Sequence, residues 1–233
     1  MKSARIVKEF QKLKNPDKAK LLGRFFKCGS GEYGAGDRFL GIVVSEQRKI
    51  AKKYFQIIET GELEKLLKNE FHEVRLTALL MLVEKFSRGD EKIKNQIYRV
   101  YLKNTKHINN WDLVDLSAPR IIGGYLLNKD RKILYQLARS ENLWERRIAV
   151  LATFMFIREC DFTDILKIAK ILLNDKHDLI HKSVGWMLRE VGKKNLETEE
   201  KFLQKHYKTM PRTMLRYAIE KFSERKRKKY LSK

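Results

Sequence analysis

Five residues carry the chemistry open to this sequence: Trp111, Asp115, Arg147, Lys182 and Trp186. One carboxylate among two indoles and two cations suits a reaction in which positive charge develops on an anionic polymer. Lysine and arginine neutralise phosphates and set register. Indole faces lie against a sugar or a base and attract cations through the ring quadrupole. Cleavage of an N-glycosidic bond is such a reaction, because the deoxyribose becomes oxocarbenium-like. A carboxylate about 4 Å from that charge, at an effective dielectric of about 20, stabilises it by on the order of 4 kcal/mol. That is roughly a thousandfold in rate. The same group can orient or deprotonate water. Two-carboxylate glycosidases use an acid to protonate the leaving group. A base already made cationic by N3 or N7 alkylation departs neutral, so one aspartate is enough.

What groups these residues is a repeat. HEVRLTALLML, WERRIAVLATF and IHKSVGWMLRE each carry a basic residue followed by a small or aliphatic one: Arg75, Arg147 and Lys182. The first gap is twice 36 and the second is 35, which calls for a unit near residue 111; NNWDLVDLSAP supplies it, with Trp111 in step. A weaker copy, TMLRYAIEKF, lies near Leu215. Two-helix units of this period mark HEAT-like α-solenoids. Equivalent positions of stacked repeats line one surface, and Asp115 and Trp186 lie one helical turn beyond Trp111 and Lys182. The five residues are therefore expected along one strip. The alternatives are plain: Trp186 as core, since the matching position is Leu79, Leu151 or Ile219 elsewhere, and Asp115 as a structural partner of Arg147. A carboxylate at an otherwise aliphatic position is costly to bury unpaired.

The positioning elements read as helices throughout. Ile165, Ile168, Ala169 and Leu172 form one apolar stripe, and Ile148, Leu151, Ala152 and Met155 another. Asp90 and Asp161 stand where N-caps belong. The expectation is a single all-α domain over 1–233: N-terminal helices over 1–60, repeats over 61–223 and a basic tail over 224–233. The Gly-rich segment CGSGEYGAGDRFLG (28–41) lacks the GK[ST] ending of a P-loop and any preceding strand. It reads as a mobile connection, with Tyr33 and Phe39 open as aromatic contacts to DNA. The tail, with Arg225, Lys226, Arg227, Lys228 and Lys229, reads as a solvated helix end.

Composition narrows the partner. The chain has 51 Lys+Arg against 29 Asp+Glu, a formal +22, which points to nucleic acid first and an anionic membrane second. Hydrophobic residues at 43% exclude disorder. Two cysteines, Cys28 and Cys160, make neither a disulfide scaffold nor a cysteine zinc site. The N-terminus lacks a signal-peptide core, and no uncharged run approaches the roughly 20 residues of a membrane span, so a soluble, cytoplasmic protein is expected. His177 and His181 are spaced i, i+4 without the HExxH glutamate or a third ligand. No metal or cofactor is expected.

NNWDLVDLSAP, LWERRIAVLATF and DLIHKSVGWMLREVG resemble the motifs of the HEAT-like-repeat alkylpurine DNA glycosylases, the AlkD-like DNA alkylation repair enzymes. The likeness spans roughly Leu40 to Phe222. It implies a monomeric, metal-free enzyme that holds duplex DNA in a concave groove and excises N3- and N7-alkylated purines without a deep base pocket. By motif match, the family's catalytic aspartate falls on Asp115, its aromatic pair on Trp111 and Trp186, and its active-site arginine on Arg147. Arg48, Arg75, Lys182 and Arg189 are expected to contact DNA. The family pattern Gly-[Ile/Val]-x-x-Pro-x-x-Arg reads GIVVSEQR here, with Ser45 in place of proline and Arg48 kept. The other reading is a non-catalytic HEAT-like solenoid that binds DNA or RNA as a scaffold or structure sensor.

Overall fold

The computed structural model describes residues 1–232, which are helical with no strand; one isolated bridge joins Arg38 and Phe71. They form two compact units, one running Met1–Ile121 and one beginning at Ile122. None of the described helices is long and apolar enough to cross a membrane.

In the first unit, α1 (Ser3–Lys12), α2 (Pro16–Phe25) and α3 (Val44–Tyr54) precede α4 (Thr60–Leu67), α5 (His72–Arg88), α6 (Glu91–Lys103) and α7 (Trp111–Ala118). The centre is α5, whose run Leu76–Val83 is buried on every side; a helix apolar all round belongs inside. Around it pack α3, α4, α6 and α7. Asp90 caps α6, accepting from Ile93 N at 2.8 Å.

The second unit contains α8 (Gly124–Leu126), α9 (Lys132–Leu137), α10 (Leu143–Ala152), α11 (Phe154–Arg158), α12 (Thr163–Ile171), α13 (Asp178–Lys194), α14 (Leu196–His206), α15 (Arg212–Ala218) and α16 (Glu224–Leu231). Here α13 is the centre, with α10, α11, α12, α14 and α15 against it. Asp161 acts one position ahead of the cap, accepting from Thr163 N at 3.1 Å, and it pairs with Arg131 at 2.6 Å. Within α16, Tyr230 packs edge-on against Tyr207 and Phe222, and Lys226 reaches Glu200 at 2.6 Å. The basic tail is thus a helix end tethered along one side, with Arg225, Arg227, Lys228 and Lys229 left in solvent; its final residue, Lys233, lies outside the described residues.

Helices α5, α7, α10, α13 and α15 are the second members of the repeats, as the period demands. Hydrogen bonds correct the register of the first copy by one residue. Arg75 reaches back to the carbonyls of Asn69 and Glu70, and Arg146, not Arg147, does the same to Ser140 and Glu141. His181 completes the series on the carbonyl of Asp175. A sliding alignment of amphipathic helices cannot separate adjacent arginines, whereas the loop carbonyl each one caps does.

The Gly-rich segment is tied down. Helix α2 ends in a left-handed turn at Lys27 (φ 55°), with Cys28 N bonded to Gly23 O at 3.0 Å. The chain then folds back on that turn, Gly34 N donating to Lys27 O at 2.9 Å, where any Cβ on Gly34 would strike backbone carbonyls. Gly41 has φ 85°, and a Cβ there would collide with the Asn15 carbonyl. From α5, the buried Glu73 carboxylate accepts from the backbone N–H groups of Leu40, Gly41 and Ile42 at 2.8–3.2 Å. The expected mobility is replaced by anchorage, because a carboxylate more than thirty residues away satisfies the loop's own donors.

Candidate functional site

Helix α7 carries Trp111 and Asp112 in its first turn and Asp115 one turn further on. Asn110 caps it, accepting from Trp111 N at 2.9 Å. The Asp112 carboxylate lies 2.9 Å from His72 Nε2; His72 Nδ1 lies 2.8 Å from Asp37, which also accepts from Arg75. Asp112, His72, Asp37 and Arg75 form a buried row of alternating charge that fastens α7 to the start of α5 and to the Gly-rich segment. Burial alone would lower the His72 pKa, but Asp112 and Asp37 outweigh it and hold it up at about 9. Asp37 stays below the ordinary carboxylate range despite burial, held there by His72 and Arg75.

A stability signature follows. The His72 pKa is raised above its unfolded value of about 6.5, so its stabilisation is fully present below that pH and is lost as pH rises through 9. On the order of 3 kcal/mol is at stake. Denaturant melts between pH 6 and 10 should show stability falling across that window, and a His72→Gln protein should show a flatter profile.

On this row stands a deck of rings. Phe39 stacks on His72 (4.6 Å between centroids) and on Phe26 (5.1 Å), and Phe26 stacks on Trp111 (5.3 Å, 20° between planes). Phe25 meets Trp111 edge-on at 6.0 Å and is 63% exposed. Trp111 and Asp115 are both half-buried, one helical turn apart. The field of Asp115 also helps burial to raise the Tyr101 hydroxyl pKa, so its carboxylate stands close to that buried ring. Of the two aromatics left open by sequence, Phe39 belongs to the deck as packing. The ones that flank Trp111 are Phe25 and Phe26, which sequence reasoning missed. Two adjacent aromatics closing a short helix were the available signal, since consecutive positions cannot both face the core.

The second unit holds Arg147, Lys182, Trp186 and Arg189. Arg147 is 5% exposed and donates to the Leu179 carbonyl at 2.6 Å. Lys182 pairs with Asp178 at 2.6 Å, one turn back on α13. The Trp186 ring is half-buried, and its Nε1 donates to Glu190 at 3.1 Å, so it is not sealed core. Arg189 pairs with Glu220. His177 caps α13 through Nδ1, accepting from Leu179 N at 3.1 Å, and His181 serves the Asp175 carbonyl; both have backbone duties.

The family model described as DNA alkylation repair enzyme matches residues 6–222. The chain belongs to that family. A predicted DNA alkylation repair enzyme from Enterococcus faecalis has a similar solved structure, with a TM-score of 0.70 at 17% identity, covering 91% of this chain and 97% of that one. At that identity the likeness shows the shared fold. Among curated proteins none matches the sequence.

For a DNA alkylation repair family member the departures noted in sequence are mild. Ser45 sits in the first turn of α3, where proline and serine are both accepted. Arg48 is exposed and lines a basic hollow with Lys52, Arg88 and Arg120. Arg75 is the exception among the expected DNA contacts. It is 4% exposed, with its guanidinium spent on Asp37, Asn109 and two carbonyls. Its work in this repair protein is to hold the loop and α7, not to meet phosphate.

Proposed function

We propose that the protein is a DNA glycosylase that excises cationic N3- and N7-alkylated purines from duplex DNA and leaves an abasic site. The observation that carries this is Asp115: a half-buried carboxylate one turn from an indole, on a helix anchored by a buried charge row. A pre-positioned carboxylate stabilises an oxocarbenium-like sugar without reorganising as charge develops. Trp111, propped by Phe26 and flanked by the exposed Phe25, offers ring faces and edges to the damaged nucleotide. Arg48, Lys182 and Arg189 serve the phosphate backbone. Arg147 and Trp186 take the roles that the family resemblance gives them, active-site arginine and aromatic. No step calls on a metal or cofactor.

The test is a duplex bearing a single 7-methylguanine. Free 7-methylguanine and an abasic strand, with no release from the unmodified duplex, are the expected products. Tight binding of the lesion duplex with no base released would favour the non-catalytic reading instead.

A further inference from the structure

Every residue assigned to DNA so far lies on α2, α3, α7, α10 or α13. A different feature lies between α12 and α14, the first helices of their repeats. A cleft of about 380 Å³ there is lined by Leu166, Lys167, Lys170, Thr198, Lys201, Phe202, Lys205 and His206. Its floor is apolar, with Phe202 packed on the His206 ring at 4.7 Å. Its rim is lysine.

The cleft brings four lysines from two helices around one apolar floor. Some helix lysines outside the cleft find a carboxylate one turn away: Lys49 with Glu46, Lys65 with Glu62, Lys68 with Glu64, Lys182 with Asp178, Lys193 with Glu190 and Lys228 with Glu224. In the cleft only Lys201 has such a partner, Glu197. Lys167, Lys170 and Lys205 have no acidic partner among the described residues. The cleft also juxtaposes like charges, Lys167 with Lys170 at i, i+3 and Lys201 with Lys205 at i, i+4, a spacing that destabilises a helix. The His206 imidazole registers the resulting field: burial first, then Lys170 and Lys205, lower its pKa.

We propose that the cleft between α12 and α14 is a second nucleic-acid contact, which grips the phosphate backbone of a DNA segment other than the one in which a base is excised. Lysines on facing helices can straddle a phosphodiester without reading bases, so binding there is independent of sequence and of lesions. The bound segment relieves the repulsion that the cleft otherwise carries. A repair protein with two such surfaces holds one duplex while it samples another.

The experiment uses the full chain and a Lys167→Gln/Lys170→Gln/Lys205→Gln variant. Affinity for a short unmodified duplex is measured across salt concentrations, and association of two differently labelled duplexes is followed by energy transfer at limiting protein. Each lost phosphate contact lowers the log–log salt slope by about 0.9, so a fall of roughly 2 to 3 is expected. Loss of duplex co-association should accompany it, while release of base from a saturating lesion duplex stays at the parent rate. The three Lys→Arg replacements should restore both readouts, and Lys170→Gln alone should move the slope by about 1, which keeps the test decisive if the triple variant melts early. An unchanged slope with unchanged co-association overturns the proposal. So does competition by inorganic pyrophosphate without co-association, which marks a small-anion site, or capture of anionic-lipid vesicles by the same lysines in place of DNA. Because these readouts need no catalysis, an absence of glycosylase activity leaves them intact.

Discussion

An Asp115→Asn protein is expected to bind a 7-methylguanine duplex as the parent does and to release the base about a thousandfold more slowly. The figure comes from charge alone: about 4 kcal/mol for a carboxylate near 4 Å from a developing cation at an effective dielectric of about 20, which is about three powers of ten in rate. Asparagine keeps the volume and one acceptor, so packing beside Tyr101 is preserved and the difference reports the negative charge. Single-turnover release with enzyme in excess isolates the chemical step. Equal rates for the parent and Asp115→Asn would remove Asp115 from the reaction, however tightly both bind. A Phe25→Ala protein makes the contrasting case. Its exposed ring contributes little to folding, so stability should stay within about 0.5 kcal/mol of the parent while affinity for the lesion duplex falls.

Removal of Asp37 is expected to be the most damaging single change to the fold. An Asp37→Ala chain leaves the His72 imidazolium with Asp112 alone and strands the Arg75 guanidinium beside it, both buried. Breaking a buried charge pair by deleting one partner costs about 3–5 kcal/mol, which for a chain of this size lowers the melting temperature by about 10 °C or more. The damage should be local before it is global. Hydrogen exchange should speed up first in 28–41 and in the first turn of α7, since Asp37 is the residue that joins them. A melting temperature equal to the parent's would show that Glu73 and the glycine turns hold the segment unaided. Together, Asp37→Ala and Asp115→Asn separate the two duties of this unit, since the first should loosen the platform and the second should silence it.

The helical architecture was legible in the chain because it rests on local periodicity. The Ile165–Leu172 stripe, the Asp90 cap and the mid-thirties spacing from Trp111 through Arg147 to Lys182 each report on residues within a turn or a repeat of one another, and the helices fall where those signals place them. Asp115 stood out for the same reason: an acid where other copies carry leucine or isoleucine is visible without coordinates. What sequence could not supply is whatever depends on partners distant in the chain. The 28–41 segment looks loose by composition, yet Glu73 and Arg75 reach it from α5. Arg75 looks like a phosphate contact by charge, yet it is buried in an ion row. Phe25 and Phe26 drew no reading from sequence, yet the fold sets both against Trp111, with the Phe25 ring still largely in solvent. Periodicity encodes which face of a helix is apolar. Only the tertiary structure decides which charges meet across helices, because a buried ion's free energy depends on partners that the neighbouring sequence does not name.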